Sequence, residues 1–333
     1  MSKEINLEPK KKLKLLGGSH IVGDIGSGAK LTGNLTNLSV TGILSPQSIV
    51  DVTEGNVELS EEARILGGSL LVNKGTLTIN VPVIPRDSDI QASKVEIGRK
   101  VRILCEDMRA GTLIFQEGGV IFSGTTVEES NKIFIRSGVA IHGGIEDRPT
   151  SLFAESEITI RPGISFHMTP EKPEIRIEGR KGIKAAGVHF HGGNHLLRLE
   201  SAGSIVAGSI VNCSTVLAGE LAADDVSHSN LIVQGLLRTA TIGGGANVEA
   251  RVVEAENIGV CNIKAGTVIT SAIGPARIET TVLIIDKDEN GHIKIHKDAN
   301  IIAEEIYSRE NTASGVKPTL IAERWPRSMG RER

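Results

Sequence analysis

A five-residue phrase, written repeatedly along the chain, constrains the fold more than any other feature. It reads Val206-Ala207-Gly208-Ser209-Ile210, Leu217-Ala218-Gly219-Glu220-Leu221, Val233-Gln234-Gly235-Leu236-Leu237 and Ile242-Gly243-Gly244-Gly245-Ala246, with a looser copy at Ile263-Lys264-Ala265-Gly266-Thr267-Val268. The pattern is apolar, any, Gly, any, apolar. Side chains alternate along a strand, so both apolar residues point to one side. The glycine permits a tight bend or the close approach of a neighbouring backbone. One such unit cannot bury its own apolar side, whereas stacked copies share a continuous core. The expected fold is all-β, a right-handed parallel β-helix (β-solenoid).

The phrase also opens the chain, at Ile21-Val22-Gly23-Asp24-Ile25, Leu31-Thr32-Gly33-Asn34-Leu35 and Val40-Thr41-Gly42-Ile43-Leu44. Its glycines are ten and nine residues apart. Taken as half-coils, they predict a full turn of about 18–20 residues. Composition agrees with a narrow aliphatic core: 38 glycines and only 2% aromatic residues in 333.

The solenoid is expected over 17–307. Residues 1–16 read as a disordered basic leader, with five lysines against two glutamates. Residues 308–333 lose periodicity and read as a disordered basic tail, six arginines and lysines against three glutamates. The middle, 110–200, is irregular. It holds all six phenylalanines, Phe115, Phe122, Phe134, Phe153, Phe166 and Phe190, which are expected to fill a wider core there. Near the C-terminus, Asn290-Gly291 between Val282–Ile285 and His292–His296 predicts a β-hairpin. The whole chain carries −3, so the body between the two basic ends is acidic, which argues against nucleic-acid binding by the body.

Candidate chemistry is sparse. His189, His191 and His195 are a weak candidate metal site: three imidazoles suit zinc or copper, but no acidic or thiol ligand stands beside them. Asp286-Lys287-Asp288-Glu289-Asn290-Gly291 resembles the opening of a calcium loop, yet Lys297 occupies the twelfth position, where a glutamate belongs. Gly243-Gly244-Gly245 lacks the Lys-Ser/Thr of a phosphate loop. Cys105, Cys213 and Cys261 are far apart and read as small buried or semi-exposed thiols in a reducing cytosol. Glu61-Glu62, Asp224-Asp225 and Glu304-Glu305 read as solvated edges. No cofactor and no catalytic set is expected.

Three function classes remain open: a self-associating scaffold, a regulatory binding module, and a carbohydrate-active β-helix enzyme. The last would use exposed aromatics to hold sugars, and the one tryptophan, Trp325, falls in the tail. Terminal coils of a solenoid expose unpaired backbone groups, so self-association is expected through Ile21 and Ile25 at one end and Ile301, Ile302 and Ile306 at the other. Lys10, Lys11, Lys12 and Lys14 are the candidate contact with a membrane or other anionic surface.

The stretch 204–285 resembles the β-helical region of the flagellar assembly protein A family, through Ser214-Thr215-Val216-Leu217-Ala218-Gly219, Val226-Ser227-His228-Ser229-Asn230-Leu231-Ile232-Val233-Gln234-Gly235, Lys264-Ala265-Gly266-Thr267-Val268 and Ala272-Ile273-Gly274. The repeats at Gly23, Gly33 and Gly42 are similar to bactofilins, and the β-helical domain of the septum-site inhibitor MinC is a more distant likeness in style. These resemblances imply a cytoplasmic bacterial β-helix without catalysis, self-associating, and meeting a membrane surface or envelope and motility proteins through its basic ends.

Overall fold

The computed structural model describes residues 4–116, 121–123, 125–144, 149–169, 171, 174–192, 197–288, 290–312 and 315–323. The described residues contain strands, turns and no helix, and, apart from Gly315–Glu323, the strands pair in parallel with neighbours one coil away. The fold is the expected parallel β-solenoid. It divides into two compact units, Met1–Ile183 and Lys184–Arg333.

In the N-terminal unit the first strands are β1 (Ile5–Leu7), β2 (Lys12–Leu16), β3 (Ser19–Ile25) and β4 (Lys30–Val40). The long strands then stack in register: Lys12 beside Lys30, Lys30 beside Ile49, Ile49 beside Ser69, Ser69 beside Asp89. Polar contacts along one outer edge mark the length of each turn. Asn37 follows Ser19 by 18 residues, Asn56 follows Asn37 by 19, and Thr76 follows Asn56 by 20, as the glycine spacing predicts. Short strands at Val83–Ile84, Arg102–Ile103, Ile121–Ser123, Ala140–His142 and Ser165–His167 form a second, narrow sheet. Inside the coils lie Leu31, Leu38, Val40 and Leu44, all fully buried. In the irregular middle the coil widens. Thr126 lies beside Ser151 and Thr150 beside Ile175, and Arg180 follows its ion-pair partner Glu155 by 25 residues.

The C-terminal unit is wound more tightly than expected. Asn247 follows Asn230 by 17 residues and Asn262 follows Asn247 by 15, each pair being register partners. Strands such as Ala246–Ile258 and Cys261–Ile273 occupy 13 residues of each coil and bend without breaking. The chain reverses at left-handed residues, Asn212 (φ 53°), His228 (φ 47°) and Gly244 (φ 58°). Asn and His are among the non-glycine residues that adopt this conformation most readily.

Several phrase glycines sit where a neighbouring backbone comes close. A Cβ on Gly42 would stand 2.4 Å from the carbonyl carbon of Gly23, and one on Gly219 would stand 2.3 Å from the carbonyl oxygen of Ala202. Several sequence expectations are corrected. The leader is not disordered over its described part: β1 pairs with β3 and β2 with β4, because Leu7 and Leu15 have core to cover. The described part of the tail is not disordered either: Asn300–Thr312 runs beside Arg277–Asp286, and Gly315–Glu323 folds back antiparallel on it. Residues 324–333 lie outside the described residues.

The hairpin around Asn290-Gly291 does not form. Its supposed arms both pair in parallel with other coils, Arg277–Asp286 with Cys261–Ile273 and Lys294–Ile295 with the same strand, and the turn is a loop pinned by the Asp288 carboxylate. Finally, the phenylalanines do not fill a widened core as a group. Phe115 and Phe190 are core. Phe134 and Phe153 are half-buried at outward positions, Phe153 under the Arg180 guanidinium. Phe166 is half-buried in the last strand of the narrow sheet, in register with Ile141. The side chain of Phe122 lies outside the description.

Candidate functional site

The features with unspent bonding capacity are strand edges. In a strand, alternate residues aim their backbone groups to opposite sides. Lys30 N–H donates to the Lys11 carbonyl and Gly17 N–H to the Asn34 carbonyl, so the odd-numbered residues of β2 face β4. Lys12 and Lys14 therefore turn their backbone groups the other way. Among the described residues, β1 and β2 each have a strand neighbour on one side only. Leu7 and Leu15 are 8% and 7% exposed, where core leucines of the next coils are at or near zero. Leu16, 68% exposed, stands at the end of the same edge.

This edge is held in place from below. The Asp24 N–H donates to Asn6 Oδ1 at 2.7 Å, and Thr41 Oγ1 donates to Glu4 Oε1 at 2.9 Å. Lys10, Lys11, Lys12 and Lys14 are all exposed on it. Lys10 takes a left-handed turn conformation, φ 61°, and its N–H donates to the Ser27 carbonyl. Sequence reasoning placed the self-associating edge one coil too late. Ile21 and Ile25 belong to the coil after it. Ile25 is fully buried, in register between Leu7 and Leu44, and Ile21 is half-buried beside Ser39. The strong apolar phrase at Ile21 hid the lysine-rich strands before it; the alternation of Leu13 and Leu15 was the available signal.

Near the C-terminus, Asn300–Thr312 is covered over its second half by the antiparallel strand Gly315–Glu323, from Glu305 to Thr312. Ile301 and Ile306 are core, 5% and 2% exposed, and Ile302 is half-buried. Ile301 and Ile306 stack in register on Ile278 and Leu283 and do not form a sticky surface. An antiparallel strand ends the parallel stacking, since its bonding pattern is that of a different ladder.

Two of the three candidate histidines lie in the described residues. His189 and His191 share an exposed face of Gly182–His191, and His189 Nδ1 is 2.9 Å from Ser209 Oγ; His195 lies outside the described residues. Among the described residues no group of three His, Cys, Asp or Glu side chains is placed to hold a metal ion. The Asp288 carboxylate accepts from the N–H groups of His292 and Asn290, which holds its pKa below the usual range, with Lys294 3.5 Å away. Burial pushes the thiols of Cys105, Cys213 and Cys261 up to about 12, so none is an activated nucleophile. Glu61, Glu62, Asp224, Glu304 and Glu305 are exposed and Asp225 is half-buried.

Among the described residues no helix is long and apolar enough to cross a membrane. Comparison of the chain with protein-family models, with curated proteins and with solved structures finds no match.

Proposed function

We propose that the chain is a non-catalytic structural scaffold, a self-associating β-helix of bactofilin-like cytoskeletal type, joined to a second copy through its N-terminal coil. The observation that carries this reading is the one-sided pairing of β1 and β2, which leaves a row of backbone donors and acceptors at Lys12 and Lys14. Such a row is a template for strand addition. A bacterial, cytoplasmic setting belongs to the same reading. The lysines on the edge make copies repel, so the junction strengthens as salt screens them.

A second reading, a regulatory module that docks on an anionic membrane or on envelope and motility proteins, is favoured by the exposure of Lys10, Lys11, Lys12 and Lys14 on one edge. Sedimentation velocity separates the two. The scaffold reading expects a concentration-dependent shift above the monomer at micromolar protein that survives or grows with salt. Lys14→Pro removes an outward N–H and abolishes the shift, while Lys297→Pro, in a loop of the C-terminal unit, leaves it. A strict monomer in low and high salt alike rejects the scaffold and leaves the docking module.

A further inference from the structure

In the N-terminal unit a cleft of about 660 Å³ opens where two successive coils turn the same corner, between the ends of Thr126–Ile135 and Thr150–Ile160. Ile135 and Ile160 pair directly in the ladder, and Arg136 and Arg161 follow them. The backbone bonds carry the stacking past the strand ends: Arg136 N–H donates to the Phe115 carbonyl and Arg161 N–H to the Ile135 carbonyl. The two arginines thus leave the corner one strand spacing apart, about 4.8 Å at the backbone. Both are exposed and both line the cleft.

Elsewhere, several arginines of this chain are neutralised by acids. Arg176 meets Glu174, Arg180 meets Glu155, Arg238 meets Glu254, and Arg309 grips Asp286 with two nitrogens. Arg136 and Arg161 have no acidic partner among the described residues. Two stacked cations repel each other, and a guanidinium pair is suited to an oxyanion with two or more oxygens to share. The nearest acid on the same strand, Glu157, accepts from Thr159 Oγ1 at 3.2 Å and stands in register beside Lys132, outside the cleft lining.

The rest of the wall is largely apolar. Phe134 stacks in register over Ile114, both are half-buried, and Pro162 closes the side next to Arg161. Ser137 and Thr159 add hydroxyls, that of Thr159 turned to Glu157. The volume lies in the usual range for small-molecule sites, which combine an apolar body with a few convergent polar groups. A bare anion would use the arginines and leave Phe134 idle; an apolar ligand would leave the arginines unneutralised.

We propose that this corner cleft binds a phosphomonoester carrying a flat apolar group, the phosphate held by Arg136 and Arg161 and the apolar group lying on Phe134. The inference is independent of self-association. The test is calorimetry on the full chain at low ionic strength with phenyl phosphate as probe, and with inorganic phosphate and benzoate as separate arms. Saturable single-site binding of phenyl phosphate is expected, tighter than either arm. Arg136→Gln and Arg161→Gln each weaken it by roughly tenfold or more, as for loss of a hydrogen-bonded charge. Arg136→Lys keeps the charge but not the fork, and falls between. Phe134→Ser weakens phenyl phosphate and leaves inorganic phosphate unchanged, and Arg64→Gln, in the short strand Arg64–Ile65, leaves both unchanged. Melting curves of the arginine variants match the wild type, since both side chains are exposed. Failure of phenyl phosphate to saturate, or unaltered binding in both glutamine variants, overturns the site. Inorganic phosphate binding as tightly as phenyl phosphate overturns the role of Phe134, and tighter benzoate overturns the choice of phosphate.

Discussion

The two units solve one packing problem with different coils. In the N-terminal unit Leu31, Leu35, Leu38, Val40 and Leu44 fill a coil of 19 residues, the step from Asn37 to Asn56. In the C-terminal unit Ala246, Val248, Val253, Ala255 and Ile258 fill a coil of 15, the step from Asn247 to Asn262. Interiors pack to a fixed density, so core volume and coil length must change together. The wider coil is closed by a separate short strand, as Arg64–Ile65 follows Ile49–Leu59, whereas the tight coil is one long strand that bends. The phrase of apolar, Gly, apolar is common to both and does not distinguish them. What distinguishes them is the extra corner of the wider coil, where further buried residues such as Ala63 and Ile65 follow the long strand Ile49–Leu59.

The largest effect follows from coil length. Deleting 246–260 joins Gly245 to Cys261 and brings Cys261, Ile263, Val268, Thr270 and Ile273 onto the positions of Ala246, Val248, Val253, Ala255 and Ile258, in the unbroken register seen between these strands. A solenoid's stability is close to a sum over coils and their contacts, so this deletion should leave a protein that unfolds cooperatively with a modestly lower midpoint. A deletion of equal length in the other unit, 30–44, removes less than one coil. It throws inward residues outward, as any register slip does. Loss of the cooperative transition is expected there, read by circular dichroism on heating. Equal tolerance of both deletions would refute the difference in coil length.

Most of the fold was legible because its determinants are local and repeated. Strand alternation is visible in any one copy of the phrase, the glycine spacing in successive copies, and the scarcity of aromatic bulk in the chain as a whole. The length of the coil was half legible: glycines near the N-terminus mark it, while in the C-terminal unit the register depends on which Val or Ala meets which across the stack. Ile242 and Ile258 are register partners, yet the segment between them carries no mark of the pairing. The N-terminal edge was misread because Lys10, Lys11, Lys12 and Lys14 look like a solvated tail, although the alternate residues Leu13 and Leu15 turn inward to some degree. The corner cleft was not legible at all. Arg136 and Arg161 are separated in sequence by a whole widened coil, and only the stacking of that coil on the previous one sets them side by side.

Glycine substitutions sharpen the comparison at a smaller scale. Gly42 in one unit and Gly219 in the other are both crowded by the backbone of the preceding coil, which an added Cβ would approach to 2.4 and 2.3 Å. Alanine at either should cost about 1–3 kcal/mol, the usual penalty of overpacking. Gly243 lies at a corner where an added Cβ meets nothing within 4 Å, and its φ is not left-handed. Gly243→Ala should be neutral or stabilise by about 0.4–1 kcal/mol, through the loss of freedom in the unfolded chain. Urea midpoints at constant slope read all three. A costly Gly243→Ala would mean that the phrase glycines serve the bend itself and not the approach of the next coil.

The smallest effect concerns the asparagines that climb one outer edge in each unit. In the tight unit Asn230, Asn247 and Asn262 form a chain of side-chain amides: Asn247 Nδ2 donates to Asn230 Oδ1 at 2.9 Å and Asn262 Nδ2 to Asn247 Oδ1 at 2.8 Å. In the wide unit Asn37 Nδ2 donates to Ser19 Oγ at 3.5 Å and Asn56 Nδ2 to Asn37 Oδ1 at 3.3 Å. The shorter bonds go with the tighter coils, steps of 17 and 15 residues against 18 and 19. Unbroken register is not required for them: Ala246–Ile258 stacks on Cys261–Ile273 without a break, but on Asn230–Gly243 with a slip between Val233 and Leu236. Amide bonds are strongest near about 2.9 Å and weaken beyond about 3.2 Å. Both ladders are exposed, so amides freed by a substitution return to water and only the net bond energy is lost. Asn247→Ala should therefore cost about 1 kcal/mol, within the range for one or two ordinary bonds, and Asn37→Ala less than about 0.5 kcal/mol, as for a plain surface change. An Asn37→Ala as costly as Asn247→Ala would break the link between coil length and ladder strength, because the longer bonds would then be carrying as much as the short ones.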